Sequence, residues 1–478
     1  MEIYLERNAQ MPLYQSIYTS IKNGILSGEL PLNEKLPPTR RLAEELEVSR
    51  NTVELAYQQL LSEGYLVSRQ GSGYRVAEGA RQEWFHERAQ DLLPYPAPAS
   101  HAARYDLWYP LVDSSLFPDK AWRKAMAGAM LQIADSRNNS YYPAHTGEAT
   151  LRETLCIYLR RLRGVNCEPQ QILIGCGLQI NLELLLKLFS PDQCPIAMEE
   201  PGYYGARDVF LVNGFSVLPI PVDSEGIRVD RLNDTNAKLL YITPSHQFPT
   251  GVVLPVKRRL ELLSWAQKQN AYIIEDDYDS ELRYQSKPIS AMQSLDKFDR
   301  VIYAGTFSKS LSPGLRISYL VLPKRLVYAY HQTCNLFVSQ VPLLMQAALA
   351  AYIQDGYLDR HMHKMRTLYR KKHLRFLDGA NRIFGENIRI CSLDGGVHFL
   401  AEFRSELSDD ALIRRAADCG IAVYTTRECW LYPENAPKHQ FLLGYGAIPL
   451  EEIDTALQAL YTAWYGKMAE GASVPYVV

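Results

Sequence analysis

The stretch AGTFSKSLSPGLR, residues 304–316, puts Lys309 between two serines, ahead of a Pro-Gly turn and seven residues before Arg316. An unprotonated lysine amine attacks carbonyls, and an arginine fork suits a phosphate. Thr306 and Ser308 add hydroxyls beside that phosphate. Upstream, YIIEDDYDSEL places Asp276 and Tyr278 directly behind an apolar run that reads as a strand. Paired acids serve metal binding or general acid/base work. With no other ligand cluster nearby, the metal reading is set aside. In QILIGCGLQINLELL, Gly177, Leu178 and Gln179 form a Gly-rich turn opening a helix, a natural anion site. EEPGYYGAR contributes the aromatic Tyr203, and ITPSHQFPTG a Pro-Thr-Gly turn.

An acid, a lysine, a phosphate-binding turn and a stacking aromatic are the parts a pyridoxal 5'-phosphate site needs. The lysine forms the Schiff base, and the acid keeps the pyridine nitrogen protonated so that the ring can accept electrons. The elements that must hold these residues alternate. From Tyr105 onward, helical segments separate the short apolar runs QILIG, CPIAME, AKLLYIT, AYIIEDD, RVIYAG and YLVLP. That order predicts a three-layer α/β domain with a mostly parallel sheet. Sites in such sheets lie at the carboxyl ends of strands, where these residues fall. GGVHFLAEF and IAVYTT read as strands of a smaller α+β subdomain, spanning roughly residues 350–465.

The first 78 residues read differently. Pro12 opens a helical pattern with Leu13, Ile17, Ile21 and Ile25 at intervals of four, and Gly28 stops it. A helix over roughly 39–46 follows, with Leu42, Ala43 and Leu46 inward. Ser49 caps a second one that buries Val53, Ala56, Tyr57, Leu60 and Leu61. The short EVS loop between them has helix-turn-helix spacing. LVSRQGSGYRVA then alternates and turns on Gly71-Ser72-Gly73, a two-stranded wing. Residues 1–78 hold 8 Lys/Arg against 10 Asp/Glu, so any DNA contact depends on a local patch. Lys35, Thr39, Arg40, Ser49, Arg50, Asn51, Thr52, Arg69 and Gly71 are the candidate DNA-binding residues. Arg50 begins the recognition helix; Arg40 and Arg69 suit phosphate or groove contacts.

Between the two regions, residues 79–104 lose periodicity and gather Pro and Ala, a linker. At 478 residues and 47% hydrophobic, the chain has material for more than one core, and its formal charge of −2 points to no polyanion globally. No apolar run approaches membrane length and the start is no signal peptide. Eight scattered cysteines without CxxC spacing fit a reducing compartment better than a disulfide framework. The expectation is a soluble cytoplasmic protein.

The string LPPTRRLAEELEVSRNTVELAYQQLLSEGYLVSRQGSGYRV resembles the N-terminal module of the GntR family. Residues 105–465 are similar to a class I, fold type I (aspartate aminotransferase-like) domain. The combination resembles the MocR/GabR-type transcriptional regulators of bacteria, across essentially the whole chain. The resemblance implies Lys309 as the Schiff-base lysine, Asp276 facing the pyridine nitrogen and Tyr278 facing the ring hydroxyl. It implies Gly177, Leu178, Gln179, Thr306, Ser308 and Arg316 around the phosphate, and Tyr203 stacked on the ring. A partner-subunit tyrosine, Tyr141 or Tyr142, completes the set.

Two departures from the aminotransferase pattern stand out. NPTG is replaced by FPTG, so Phe248 takes the asparagine's place, with His246 or Gln247 as substitutes. The C-terminal arginine that pairs a substrate carboxylate is missing from HQFLLGYGAI, leaving Arg427, then Arg207, as candidates for the effector. The resemblance therefore implies a homodimeric regulator of double-stranded operator DNA. It would sense an amino compound, or the cofactor itself, through aldimine chemistry at Lys309. The linker is long enough for a head-to-tail swapped arrangement. The alternative is a working aminotransferase with an accessory DNA-binding module; a pure dimerisation scaffold would need none of the acid–lysine–arginine set.

Overall fold

The computed structural model describes residues 12–69, 73–80, 103–134, 142–284, 289–391 and 395–466, in two compact units, Met1–Ser100 and His101–Val478. Most of the expected linker, and both Tyr141 and Gly71, lie outside the described residues.

In the first unit, helix Leu13–Ser27 buries Ile17, Ile21 and Ile25 and ends on Gly28, whose φ of 90° is the left-handed turn that glycine adopts freely. Leu13, the first member of that series, stays exposed at the helix start. Helices Thr39–Glu45 and Arg50–Ser62 follow, and the Ser49 hydroxyl accepts from the Thr52 backbone N–H at 3.1 Å, as a helix N-cap should. Strands Leu66–Arg69 and Gly73–Val76 pair antiparallel as the wing. Val53, Ala56, Tyr57 and Leu60 close the core with the first helix and Val76. The result is a winged helix whose recognition helix shows one face to the core and the other to solvent.

The second unit is built on an eight-stranded sheet. In spatial order its strands are Ile172–Gly175, Ser318–Val321, Val301–Thr306, Tyr272–Asp277, Leu239–Ile242, Ile196–Glu200, Val217–Asp223 and Gly226–Ile227. The five from Val301–Thr306 to Val217–Asp223 run parallel; the pairings at both edges are antiparallel. The inner four of these are buried along nearly their whole length, because helices cover both faces, whereas Val217–Asp223 is only part-buried. This is the fold type I sheet.

The smaller sheet has the order Ile388–Ile390, His398–Phe403, Gln440–Gly444, Tyr424–Thr425. The segment IAVYTT is not one strand. Its Ile421–Ala422 half pairs in parallel with Tyr105–Asp106, and only Tyr424–Thr425 joins the smaller sheet. Val423 between them is buried, so the segment changes partner there. That pairing fixes the chain just before Trp108, Tyr109 and Pro110, which matters for the site below.

Candidate functional site

The sheet register explains why adjacent acids do different work. Successive residues of a strand point to opposite faces. In Tyr272–Asp277, Asp276 therefore turns one way with Ile274, and Asp277 the other with Ile273. Asp277 is bound by the buried guanidinium of Arg163 at 2.8 Å and by the Tyr303 hydroxyl, a structural ion pair. Asp276 faces a cavity of about 410 Å³ at the carboxyl ends of the parallel strands, and accepts from the Tyr241 hydroxyl one strand away. Burial pushes Asp276 up to about 7, with the Tyr241 hydrogen bond opposing and the Asp277 and Asp279 charges adding to the rise.

Lys309 lies across the same cavity, 9% exposed, with Nζ 3.3 Å from the backbone carbonyl of Tyr109. Burial pushes its amine down to about 7, against the pull of Asp279. A lysine so placed is in part an unprotonated nucleophile near neutral pH.

The anion end is built from backbone. Gly177 is the N-cap of helix Leu178–Leu186 at φ 89°, and no side chain caps that helix start. A Cβ on Gly177 would sit 2.1 Å from Nη2 of Arg316, so only glycine lets the guanidinium approach the helix N-terminus. Arg316 is held in left-handed backbone (φ 53°) after the turn Pro313–Leu315, and Nη2 donates to the Cys176 carbonyl at 3.3 Å. Thr306 and Ser308 join this end of the cavity, their hydroxyls 3.0 Å apart. Helix N–H groups, an arginine and two hydroxyls form an anion cradle.

The walls are aromatic. Tyr203, its hydroxyl 3.2 Å from Gln179 Nε2, stands edge-on to Phe248, which also packs against Tyr109 with ring centroids 4.6 Å apart. Trp108, Tyr204 and Tyr278 complete this side. The Tyr278 hydroxyl lies 3.1 Å from Nδ1 of His246, which itself stands behind the lining. Gln247 is spent on backbone: its amide nitrogen donates to the carbonyls of Pro201 and Phe248, and its oxygen accepts from Thr250.

Of the expected site residues, Lys309, Asp276, Tyr278, Gly177, Leu178, Gln179, Tyr203, Thr306, Ser308 and Arg316 all line this one cavity. Tyr142 is 87% exposed and does not line it. Neither Arg207 nor Arg427 is among the lining residues. Arg207 donates to the carbonyls of Glu428 and Trp430 at 2.7 and 2.8 Å, and Arg427 pairs with Asp409 and Asp410 at 3.2 and 2.9 Å. Tyr241, Trp108, Tyr109 and Tyr204 were not foreseen. Tyr241 sits in an apolar strand with no mark of its role. Trp108 and Tyr109 come from about 200 residues before Lys309 and are brought to it by the Tyr105–Asp106 pairing and by the backbone bonds of Leu107 to Ala422 and Gly444.

In the first unit, Lys35, Arg40, Arg50 and Asn51 are exposed, Thr39 opens the helix Thr39–Glu45, and Thr52 lies in the first turn of the recognition helix. Arg50 has only a loose contact with Glu54 at 3.8 Å, so its guanidinium is available. Arg69 ends the first wing strand. Among the described residues no helix is long and apolar enough to cross a membrane, and no group of three metal-ligating side chains occurs.

Comparison with known proteins agrees with this division. Residues 13–76 match the model of the gntR family of bacterial regulatory proteins, and residues 109–460 that of aminotransferase class I and II. The HTH-type transcriptional regulator YdeL of Bacillus subtilis is 38% identical over 96% of this chain and 98% of its own. The probable rhizopine catabolism regulatory protein MocR of Rhizobium meliloti is 33% identical over 98% and 97%. The chain belongs to the MocR-type GntR regulators. Among solved structures, the multiple substrate aminotransferase from Thermococcus profundus is similar with a TM-score of 0.67 and 25% identity, over 80% of this chain and 97% of that one. The protein is thus a DNA-binding transcriptional regulator with a pyridoxal phosphate-binding, aminotransferase-like domain.

Proposed function

We propose that the cavity around Lys309 is the sensory site of this regulator, where a primary amine is read through bound pyridoxal phosphate and changes operator binding. The observation that carries this reading is the convergence of three groups from distant strands on one cavity: a buried lysine brought down to about 7, a buried acid brought up to about 7, and an anion cradle. They fit the cofactor chemically. Among the described residues Asp276 has no cationic partner, and a protonated pyridine nitrogen would supply one. The approach of Arg316 to Gly177 sets positive charge beside uncapped N–H groups, which would suit a phosphate.

When bound, the cofactor supplies an aldehyde that condenses with an amine and a ring that accepts electron density. Lys309 would supply the amine that holds the cofactor, at the place where an effector amine would compete. Asp276 would hold a proton toward the pyridine nitrogen, Tyr278 would face the ring hydroxyl, and Gly177, Leu178, Gln179, Thr306, Ser308 and Arg316 would hold the phosphate. The aromatic wall excludes water from Lys309. Tyr141 or Tyr142 of a second copy would complete the phosphate side, in a homodimer whose DNA heads reach across residues 79–104. Arg427 and Arg207 would meet an effector carboxylate only after leaving their present partners.

Effector binding must differ in free energy between two arrangements of the protein, or it cannot alter DNA affinity. Operator binding is therefore to be measured by footprinting the holoprotein with a panel of primary amines. At least one amine should shift the apparent affinity in wild type and leave Lys309→Ala unmoved. An equal shift in Lys309→Ala would overturn the proposal. Steady transamination with 2-oxoglutarate that no operator influences would favour the enzyme reading instead.

A further inference from the structure

Behind Tyr278 lies a buried polar pair that the cofactor chemistry above does not use. His246 Nδ1 is 2.8 Å from Asp279 Oδ2, and both side chains are almost wholly buried. The same Nδ1 is 3.1 Å from the Tyr278 hydroxyl, while Nε2 is buried and has no hydrogen-bond partner among the described residues. Gly396 presses on the pair at φ 75°. A Cβ there would lie 2.5 Å from His246 Cε1 and 2.9 Å from Asp279 Oδ2. The pair is thus clamped, with little room to rotate.

One nitrogen facing both a carboxylate and a phenol decides where the protons sit. A carboxylate only accepts, so the Asp279 contact places the imidazole proton on Nδ1. That nitrogen then has no lone pair for the phenol, and the Tyr278 oxygen can only share the Nδ1–H as a second acceptor. Its own hydroxyl proton is left to point elsewhere, and Tyr278 lines the cavity. Burial and the surrounding carboxylates hold Tyr278 well above the usual phenol range, so it keeps that proton. Phe248 is apolar and Gln247 is engaged by backbone, so neither supplies a donor on this side.

We propose that Asp279 and His246 are a positioning dyad that fixes the Tyr278 hydroxyl as a hydrogen-bond donor into the cavity. The dyad thereby stands in, through Tyr278, for the asparagine that Phe248 replaces. Its target would be the ring oxygen of bound pyridoxal phosphate, and to that extent it rests on the cofactor reading above. Other groups facing the pair are His398, with its ring centroid 5.7 Å from that of His246, and Lys309, Asp276, Tyr284 and Tyr445, which feel the charge of Asp279.

Two measurements test the dyad. In the cofactor-free protein, nitrogen NMR of His246 should find the proton on Nδ1 in wild type and on Nε2 in Asp279→Ala. Finding Nε2 protonated and Nδ1 bare in wild type would overturn the proposal whether or not cofactor binds. In the holoprotein, the pH midpoint of the bound chromophore is followed through a double-mutant cycle with Tyr278→Phe. A donated hydrogen bond favours the ring oxyanion, so Tyr278→Phe should raise the midpoint by about one pH unit, the size of one charge-assisted bond. Removing the Asp279 charge alone lowers it. Asp279→Ala should therefore shift the midpoint upward in wild type relative to its effect in Tyr278→Phe, by a similar amount. Equal shifts in the two backgrounds would mean that Asp279 acts through charge or stability only. A wild-type protein without a chromophore would instead sink the cofactor reading itself, leaving the tautomer measurement to decide the dyad.

Discussion

Gly177→Ala isolates the anion cradle from the rest of the site. The added methyl would begin 2.1 Å from Nη2 and 2.7 Å from Cζ of Arg316, so the guanidinium must withdraw. The backbone at φ 89° and ψ 158° lies in a region essentially only glycine occupies and adds strain of about 1–3 kcal/mol for any residue with a Cβ. That strain is present with and without ligand and lowers stability alone. The loss of affinity comes from the displaced arginine, a charge-assisted contact of roughly 1.5–3 kcal/mol. At 1.4 kcal/mol per decade this weakens pyridoxal phosphate binding by about 10- to 100-fold. Fluorescence or absorbance titration of the apoprotein measures it, with Arg316→Gln as the companion. The two variants should lose similar affinity, and the double variant little more. Wild-type affinity in Gly177→Ala would refute the claim that the phosphate lies between this helix start and Arg316.

Asp276→Asn keeps the shape of the acid and removes its charge. A carboxyl raised from 3.8 to about 7 favours the folded state below its unfolded value, and that advantage is lost as pH rises toward 7. The apo variant should therefore be more stable than wild type at pH 8, by up to about 4 kcal/mol at ~1.4 kcal/mol per pH unit, and equal to it near pH 3. Denaturant melts at both pH values check the sign, and holoprotein should show the opposite preference. Arg163→Met strips the cation from the buried Asp277, which keeps only the Tyr303 hydroxyl, and should cost about 3–5 kcal/mol without altering the lining of the cavity. Ser49→Ala removes the cap of the recognition helix, at a cost of about 1 kcal/mol to the N-terminal unit. Arg50→Ala should weaken operator binding and lower the salt dependence by about one counterion, while the chromophore stays unchanged.

Much of this was legible because local rules and tertiary structure agree. The intervals of Ile17, Ile21 and Ile25, the Ser49 cap and the Gly28 stop each act within one helix, so spacing alone reveals them. The strand ahead of Asp276 carries Ile273 and Ile274, buried on opposite faces, and its end is where ligand chemistry collects in parallel sheets. What was not legible depends on partners far away in sequence. Nothing in YIIEDDYDSEL says that Asp277 belongs to Arg163, since only the pleat separates it from Asp276. Arg427 sits by Asp409 and Asp410, in the first turn of helix Asp409–Asp418, where acids also suit the helix dipole. From sequence it looks free. The substitution of Phe248 was plain, but the choice between His246 and Gln247 required the backbone carbonyls that engage Gln247.

The most direct test of the account is the visible absorption of the purified protein reconstituted with pyridoxal phosphate, compared with Lys309→Ala. Wild type should carry the band of a cofactor linked to a lysine amine, and a primary amine that shifts operator binding should change it. Lys309→Ala should lack the band while retaining its affinity for DNA in the absence of amine. An unaltered band in Lys309→Ala, or none in wild type, would contradict the assignment of this cavity as the sensory site.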